Sequence, residues 1–356
     1  MKRVSILCLF ALLASMIGAP LRGAGITGIV HASHNGAKQL SVLLYIDGSL
    51  GDLGFFDSAN AGVQRAHQQL GVNTKVVQNA DSTQWQTQLL SLAGSKKYDV
   101  IILDATDPAL LAAAKNVAKR YPSQKIIDFD DNFFATTSSV SSIIYKQNEG
   151  SFLAGALAAM VTGSTLPYVS HKNIVGMVGG MKLPVILDFQ DGYVQGAKAV
   201  NAKIDVRVTF IGGSGSDDTW NNKPAGARLA NSLYNAGASV VYQVAGGSGL
   251  GVLAQAKVSG RYAVGVDSNQ DAVAPGHVIG SVVKRVDNSL FDLIKLAQQG
   301  KLQGAHVYFY GLQNHGVDLT RDSYTRAIIT PAMYKQLDNL EAQVMSGKIK
   351  VKSEFH

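Results

Sequence analysis

Two short apolar runs in this chain end on opposite charges. Tyr262-Ala-Val-Gly-Val-Asp-Ser-Asn-Gln270 reaches the carboxylate of Asp267, and Ser281-Val-Val-Lys284 stops at an ammonium. Such runs read as strands, and the strand ends of an open α/β sheet are where ligands bind. A carboxylate and an ammonium together suit a ligand rich in hydroxyl groups. The same spacing also fits an ion pair on a surface loop.

Three loops offer further contacts. Asp47-Gly-Ser-Leu-Gly-Asp-Leu-Gly-Phe-Phe-Asp57 joins the first strand to the first helix. Its glycines allow a tight turn, and Asp47 can accept hydrogen bonds. Phe55 or Phe56 can stack on a flat ring, the other being expected to face the core, and Asp57 reads as the helix N-cap. The polar segment Gly212–Asn222 carries Trp220, with Asn221 beside it; a tryptophan there needs cover, either from a ligand or from the neighbouring helix. Trp85, in an amphipathic stretch, is expected in the core. Gly246-Gly-Ser-Gly-Leu-Gly251 joins a strand to a helix but lacks the Lys-Ser/Thr of a P-loop and the G-x-G-x-x-G spacing. The amides of Gly246 and Gly247 are therefore expected to approach a small ligand rather than cradle nucleotide phosphates.

Catalytic sets are weak. The histidines are dispersed without metal-ligand spacing, His306 and His315 read as surface groups, and no G-x-S-x-G element is present. Adjacent Asp130 and Asp131 could do acid/base work but fit turn formers or solvated groups better. No cofactor or metal is expected.

These residues need an alternating framework, and the chain supplies one. Strand-like runs such as Leu40–Asp47, Asp99–Leu103 and Ser239–Val244 alternate with helix-like runs such as Phe55–Leu70, Pro108–Tyr121 and Pro184–Val200. Repeated βα units imply parallel sheets with right-handed crossovers. The strands are too many for one comfortable sheet and the pattern restarts near Gln147. The expectation is an α/β protein of two doubly wound parallel-sheet lobes. The first would hold 39–147 plus roughly 270–300, the second 148–269 plus roughly 301–356.

Composition agrees with a globular chain: 46% of the 356 residues are hydrophobic and 16% charged. Lys2 and Arg3 before an apolar stretch from Val4 to Ala19 read as a secretory signal, with 1–32 removed after Val30-His-Ala32; an uncleaved anchor is the alternative. The one cysteine, Cys8, lies inside that stretch, so a mature chain would have no thiol chemistry. Losing Lys2, Arg3 and Arg22 with the signal lowers the formal charge from +7 to +4. The remaining basic residues are scattered, which argues against nucleic-acid binding.

Taken in order, several segments resemble the basic membrane protein family of ABC-transporter substrate-binding proteins, which includes purine nucleoside receptors. They are Gly51-Asp-Leu-Gly-Phe-Phe-Asp57, Tyr121-Pro122 followed by Asp130, Glu149-Gly-Ser-Phe-Leu-Ala-Gly155, Val178-Gly-Gly180, Gly192-Tyr-Val-Gln-Gly-Ala-Lys198, Val264-Gly-Val-Asp-Ser-Asn-Gln270 and Ser281-Val-Val-Lys284. The resemblance implies a type I periplasmic-binding architecture with a hinge. It implies a base stacked between Phe55 (or Phe56) and Trp220, and ribose held by Asp267 and Lys284. Asp47, Gly246 and Gly247 would complete the contacts. The chain departs from the family in Phe55-Phe56 (Phe-Asn in many members), in Asn269 and in the Gly/Ser-rich approach to Trp220.

The expectation is an exported, monomeric receptor that binds a nucleoside without catalysis and serves a membrane ABC permease. Competing readings are a sugar or other small-solute receptor, a nucleoside-processing enzyme, and a ligand-responsive regulator. The last would usually carry a helix-turn-helix module, whereas this N-terminus is apolar.

Overall fold

The computed structural model describes residues 39–131, 137–212 and 217–355. The expected signal segment lies outside them. In chain order the elements begin with β1 (Ser41–Ile46), α1 (Phe55–Leu70), β2 (Asn73–Gln78), α2 (Trp85–Gly94), β3 (Val100–Leu103), α3 (Pro108–Arg120), β4 (Lys125–Phe129) and β5 (Val140–Tyr145). They continue with α4 (Gln147–Thr162), β6 (Ile174–Gly179), α5 (Pro184–Val200), β7 (Asp205–Phe210), α6 (Asp217–Trp220), α7 (Lys223–Asn235), β8 (Val240–Val244) and α8 (Gly249–Val258). The last are β9 (Tyr262–Asp267), β10 (Val278–Lys284), α9 (Val286–Gln298), β11 (His306–Tyr310), β12 (Val317–Leu319), α10 (Ser323–Arg326) and α11 (Pro331–Met345).

Two six-stranded sheets result, in the orders β11-β5-β4-β3-β1-β2 and β12-β10-β9-β8-β6-β7. Every pairing is parallel except β10 with β12. Central strands buried on both faces, such as Val100-Ile-Ile-Leu103, are continuous apolar runs for that reason. Helices cover both faces: α1 and α9 against α2 and α3 in the first lobe, α4 and α5 against α7 and α8 in the second.

Among the described residues the chain crosses between lobes three times, and two of the crossings differ from the sequence expectation. The first passes through Lys146, close to the expected boundary. The second is at Arg285, because β10 pairs with β9 of the second sheet rather than joining the first lobe. The third runs through Gly311–Gly316, because β11 returns to the first sheet beside β5. The crossings are tied to one another: Lys146 N donates to Tyr310 O at 2.8 Å, Arg285 N to Gly316 O at 2.9 Å, and Leu312 N to the Glu149 carboxylate at 3.0 Å. A Cβ on Gly316 would sit 2.6 Å from Tyr310 Cα, so the third crossing can double back only without a side chain.

The second lobe is built on an unusually close pair of helices. Nearly every residue of α4 is buried. A Cβ on Gly155 would lie 2.0 Å from Tyr193 O, one on Gly192 2.2 Å from Asn148 O, and one on Gly196 1.8 Å from Phe152 O. Small residues thus let backbones touch, and Phe189 of α5 is carried on this rigid pair. Among the described residues no helix is long and apolar enough to cross a membrane. Gly196→Ala should force α4 and α5 apart and cost roughly 2–3 kcal/mol, seen as a melting temperature lower by about 5 °C. Unchanged melting would mean that the helices do not need this approach.

Candidate functional site

The two sheets turn their carboxyl-end edges toward each other, and the charged groups collect there. Lys284, at the end of β10, is 1% exposed. Its ammonium donates to both oxygens of Asp130, at 2.8 and 2.7 Å, and Asp130 follows β4 in the other lobe. The rings of Phe55, Tyr145 and Phe189 stand 5.1, 5.4 and 4.8 Å from the same ammonium. This is cation–π geometry in a site shielded from water. Burial pushes the Asp130 carboxyl up, and the charge and hydrogen bonds of Lys284 pull it back; the short bidentate contact is that of carboxylate with ammonium. Asp130 and Asp131 are therefore buried, not the solvated turn groups expected.

Asp267 ends β9 in a left-handed conformation, φ +64°. Its side chain is buried, and among the described residues none donates a hydrogen bond to it. Burial raises its pKa to about 7, helped by the charges of Asp130 and Asp52 and opposed by Lys284. The alternative of an exposed surface pair between Asp267 and Lys284 is thus ruled out: both are buried, and the partner of Lys284 is Asp130.

The loop before α1 is pinned by its own carboxylates. Asp52 accepts from the amides of Gly54, Phe56 and Asp57, at 3.0, 2.9 and 3.2 Å. Asp57 accepts from Gly51 and Leu53, both at 2.9 Å. Asp57 is accordingly not the N-cap: it lies in the first turn, while Asp52 takes the free amides. The loop then docks on the second lobe. Ser268 Oγ donates to Gly54 O at 3.1 Å and Gln270 Nε2 to Leu53 O at 3.0 Å. The two phenylalanines part company here. Phe55 lies 5.3 Å from Phe129 and faces Lys284, whereas the edge of Phe56 covers Gly48. Both are partly buried against the core.

Trp220 packs against Gly180, just past the end of β6, where a Cβ would meet its ring at 2.2 Å. The glycine turn shares this wall: a Cβ on Gly247 would lie 3.1 Å from Trp220 O, 3.4 Å from Asn221 Oδ1 and 3.8 Å from Asp52 Cα of the opposite lobe. Ser248 pins the turn, accepting from Asn222 N and donating to Thr219 O. Gly249 and Gly251 serve packing instead, against Gln243 and Lys223. Residues 213–216 of the expected loop are outside the described set. Trp85 is in the core, as expected, and His306 and His315 are exposed.

The site thus brings Asp47, Phe55, Trp220, Asn221, Gly246, Gly247, Asp267 and Lys284 to one interlobe region, with Phe56 set back on its own loop. Sequence reasoning missed Asp104, which is buried at the end of β3. Burial and the charges of Asp47 and Asp130 raise its pKa well above the usual carboxylate range. Its signal was present, since it ends an apolar run just as Asp267 does. On the flank, a cavity of about 930 Å³ lies between the start of α1 and the 267–273 loop, lined by Leu53, Asp57, Asp267, Gln270, Val273 and Arg285 among others.

Facing parallel sheets, three tied crossings and the polar and aromatic side chains gathered between them define a two-lobed α/β fold. The fold is similar to a solved ABC transporter solute-binding protein from Aeropyrum pernix, with a TM-score of 0.78 and 24% identity over 87% of this chain and 92% of that one. The chain belongs to the family of PnrA-like ABC transporter substrate-binding proteins, whose model matches residues 39–354. Among its relatives are basic membrane protein D of Borreliella burgdorferi, 28% identical over 88% of each chain, and the ABC transporter nucleoside-binding protein BmpA of Lactococcus lactis subsp. cremoris, 30% identical over 69% of each.

A raised acid pKa means that folding favours the neutral form of Asp267. Its contribution to stability is complete below about pH 4 and is lost as pH rises through about 7. Asp267→Asn cannot ionise, so its stability relative to the parent should grow by on the order of 3 kcal/mol between pH 4 and 8. Denaturant unfolding at the two pH values measures this, and an equal difference at both would show that Asp267 titrates normally.

Proposed function

We propose that the chain is an extracytoplasmic receptor that binds a nucleoside between its lobes and delivers it to a membrane ABC permease. The observation that carries this reading is Asp267, a buried carboxylate with hydrogen-bonding capacity left over, set beside a caged ammonium. Ribose hydroxyls are suitable donors to Asp267 and acceptors from Lys284. Phe55 on one lobe and Trp220 on the other offer faces for the base. Asp47 and Asp104 offer acceptors for its amino or imino groups, and Asn221 and the Gly246–Gly247 backbone offer further polar contacts. The description of the Lactococcus relative as nucleoside-binding supports the same ligand class.

Calorimetry with a purine nucleoside, its free base and free ribose tests this. Asp267→Ala should weaken nucleoside binding by roughly tenfold to a hundredfold while sparing the base. Trp220→Ala should weaken nucleoside and base alike. Nucleoside affinity unchanged in a folded Asp267→Ala protein would remove the ribose assignment, and ribose binding as tightly as the nucleoside would make the protein a sugar receptor.

A further inference from the structure

The contact between Asp130 and Lys284 has a consequence for which ligands the cleft accepts. Asp130 is held with some strain: it is a non-glycine residue at φ +79°, a conformation that persists only where its surroundings fix it. What fixes it is visible on both sides. Its amide donates to Ile143 O of the neighbouring strand at 2.9 Å, and Phe129 before it packs on Phe55. The strained backbone aims the carboxylate across the lobe boundary, where both oxygens take hydrogen bonds from Lys284.

The ammonium therefore meets the ligand with its charge already balanced. Two further carboxyls, Asp188 and Asp267, feel its charge, which opposes the upward push of burial on each. A neutral hydroxyl can still use the donor capacity that Lys284 retains. A phosphate would have to compete with the Asp130 carboxylate for that ammonium.

We propose that Asp130 is the specificity-determining residue of the cleft, positioning Lys284 and neutralising it so that uncharged ligands are accepted and phosphorylated ones rejected. The choice of cleft and of organic probes rests on the nucleoside reading; the rejection of phosphate is testable without it.

The test compares the parent protein, Asp130→Asn, and Asp130→Asn combined with Lys284→Gln. Calorimetry uses a purine nucleoside and its 5′-monophosphate, and thermal melting is followed with inorganic phosphate alone. In Asp130→Asn the ratio of monophosphate to nucleoside affinity should rise by about tenfold or more. Phosphate should raise the melting temperature of that variant and leave the parent unaffected. Adding Lys284→Gln should abolish both gains, because the freed ammonium is gone. A merely structural Asp130 would weaken both ligands equally and leave melting indifferent to phosphate, which would overturn the proposal. Should Asp130→Asn fail to fold, the parent decides: raising salt from about 0.05 to 0.5 M should narrow its preference for nucleoside over monophosphate, and a preference independent of salt would overturn the proposal. A parent that binds no nucleoside refutes the proposed function, whereas the phosphate melting experiment still judges Asp130.

Discussion

An ammonium taken out of water must bring its counter-charge with it. The penalty for stripping water from either ion is several kcal/mol, and only close, well-directed contacts offset it. Lys284 and Asp130 meet that condition from opposite lobes, so their hydrogen-bond distances set how near the two sheets come. Much else follows from this approach. Phe55, Tyr145 and Phe189 can surround the ammonium only because the strand ends that carry or adjoin them converge, and both Asp130 and Asp267 accept left-handed backbones to point their carboxylates inward.

The two walls of the cleft are made firm in different ways. In the second lobe, α4 and α5 pack backbone to backbone, so Phe189 has a base with little room to shift. In the first lobe a loop without regular structure is stiffened by Asp52 and Asp57, which occupy its amides, while the carbonyls of Leu53 and Gly54 accept from Gln270 and Ser268. Gln270 is itself oriented from behind by Gln243 and by the amide of Val266. Closure contacts are thus directed at main-chain atoms, and the side chains facing the cleft remain available for a solute. The lobes are joined by three short crossings that are bonded side by side.

Much of this was legible in the sequence because it is local. The alternation of apolar runs gave both sheets, and α1 begins and ends where its pattern does, at Phe55 and Leu70. Asp267 and Lys284 were visible because each closes an apolar run. What escaped depends on partners distant along the chain. Nothing near Asp130 indicates a lysine 154 residues away, so a pair of adjacent aspartates read as a turn. The sheet that β10 or β11 joins is likewise decided by edge pairing rather than by its own residues, and β12, only three residues long, is too short to show a period. The role of Asp52 was hidden behind Asp57 because capping here depends on the path of a glycine-rich turn, not on spacing from the helix.

The strand order also bears on how the chain is made. The first lobe takes its outermost strand, β11, from residues 306–310, long after β5 at residues 140–145 has been synthesised. A chain threaded out from its N-terminus would expose the edge of β5, an apolar strand with unpaired amides and carbonyls, until nearly the whole second lobe had emerged. The lobes are therefore not successive modules that mature one after the other. The one emerging first is completed by one of the last strands to appear, so the chain has reason to stay unfolded, or shielded, until its end arrives.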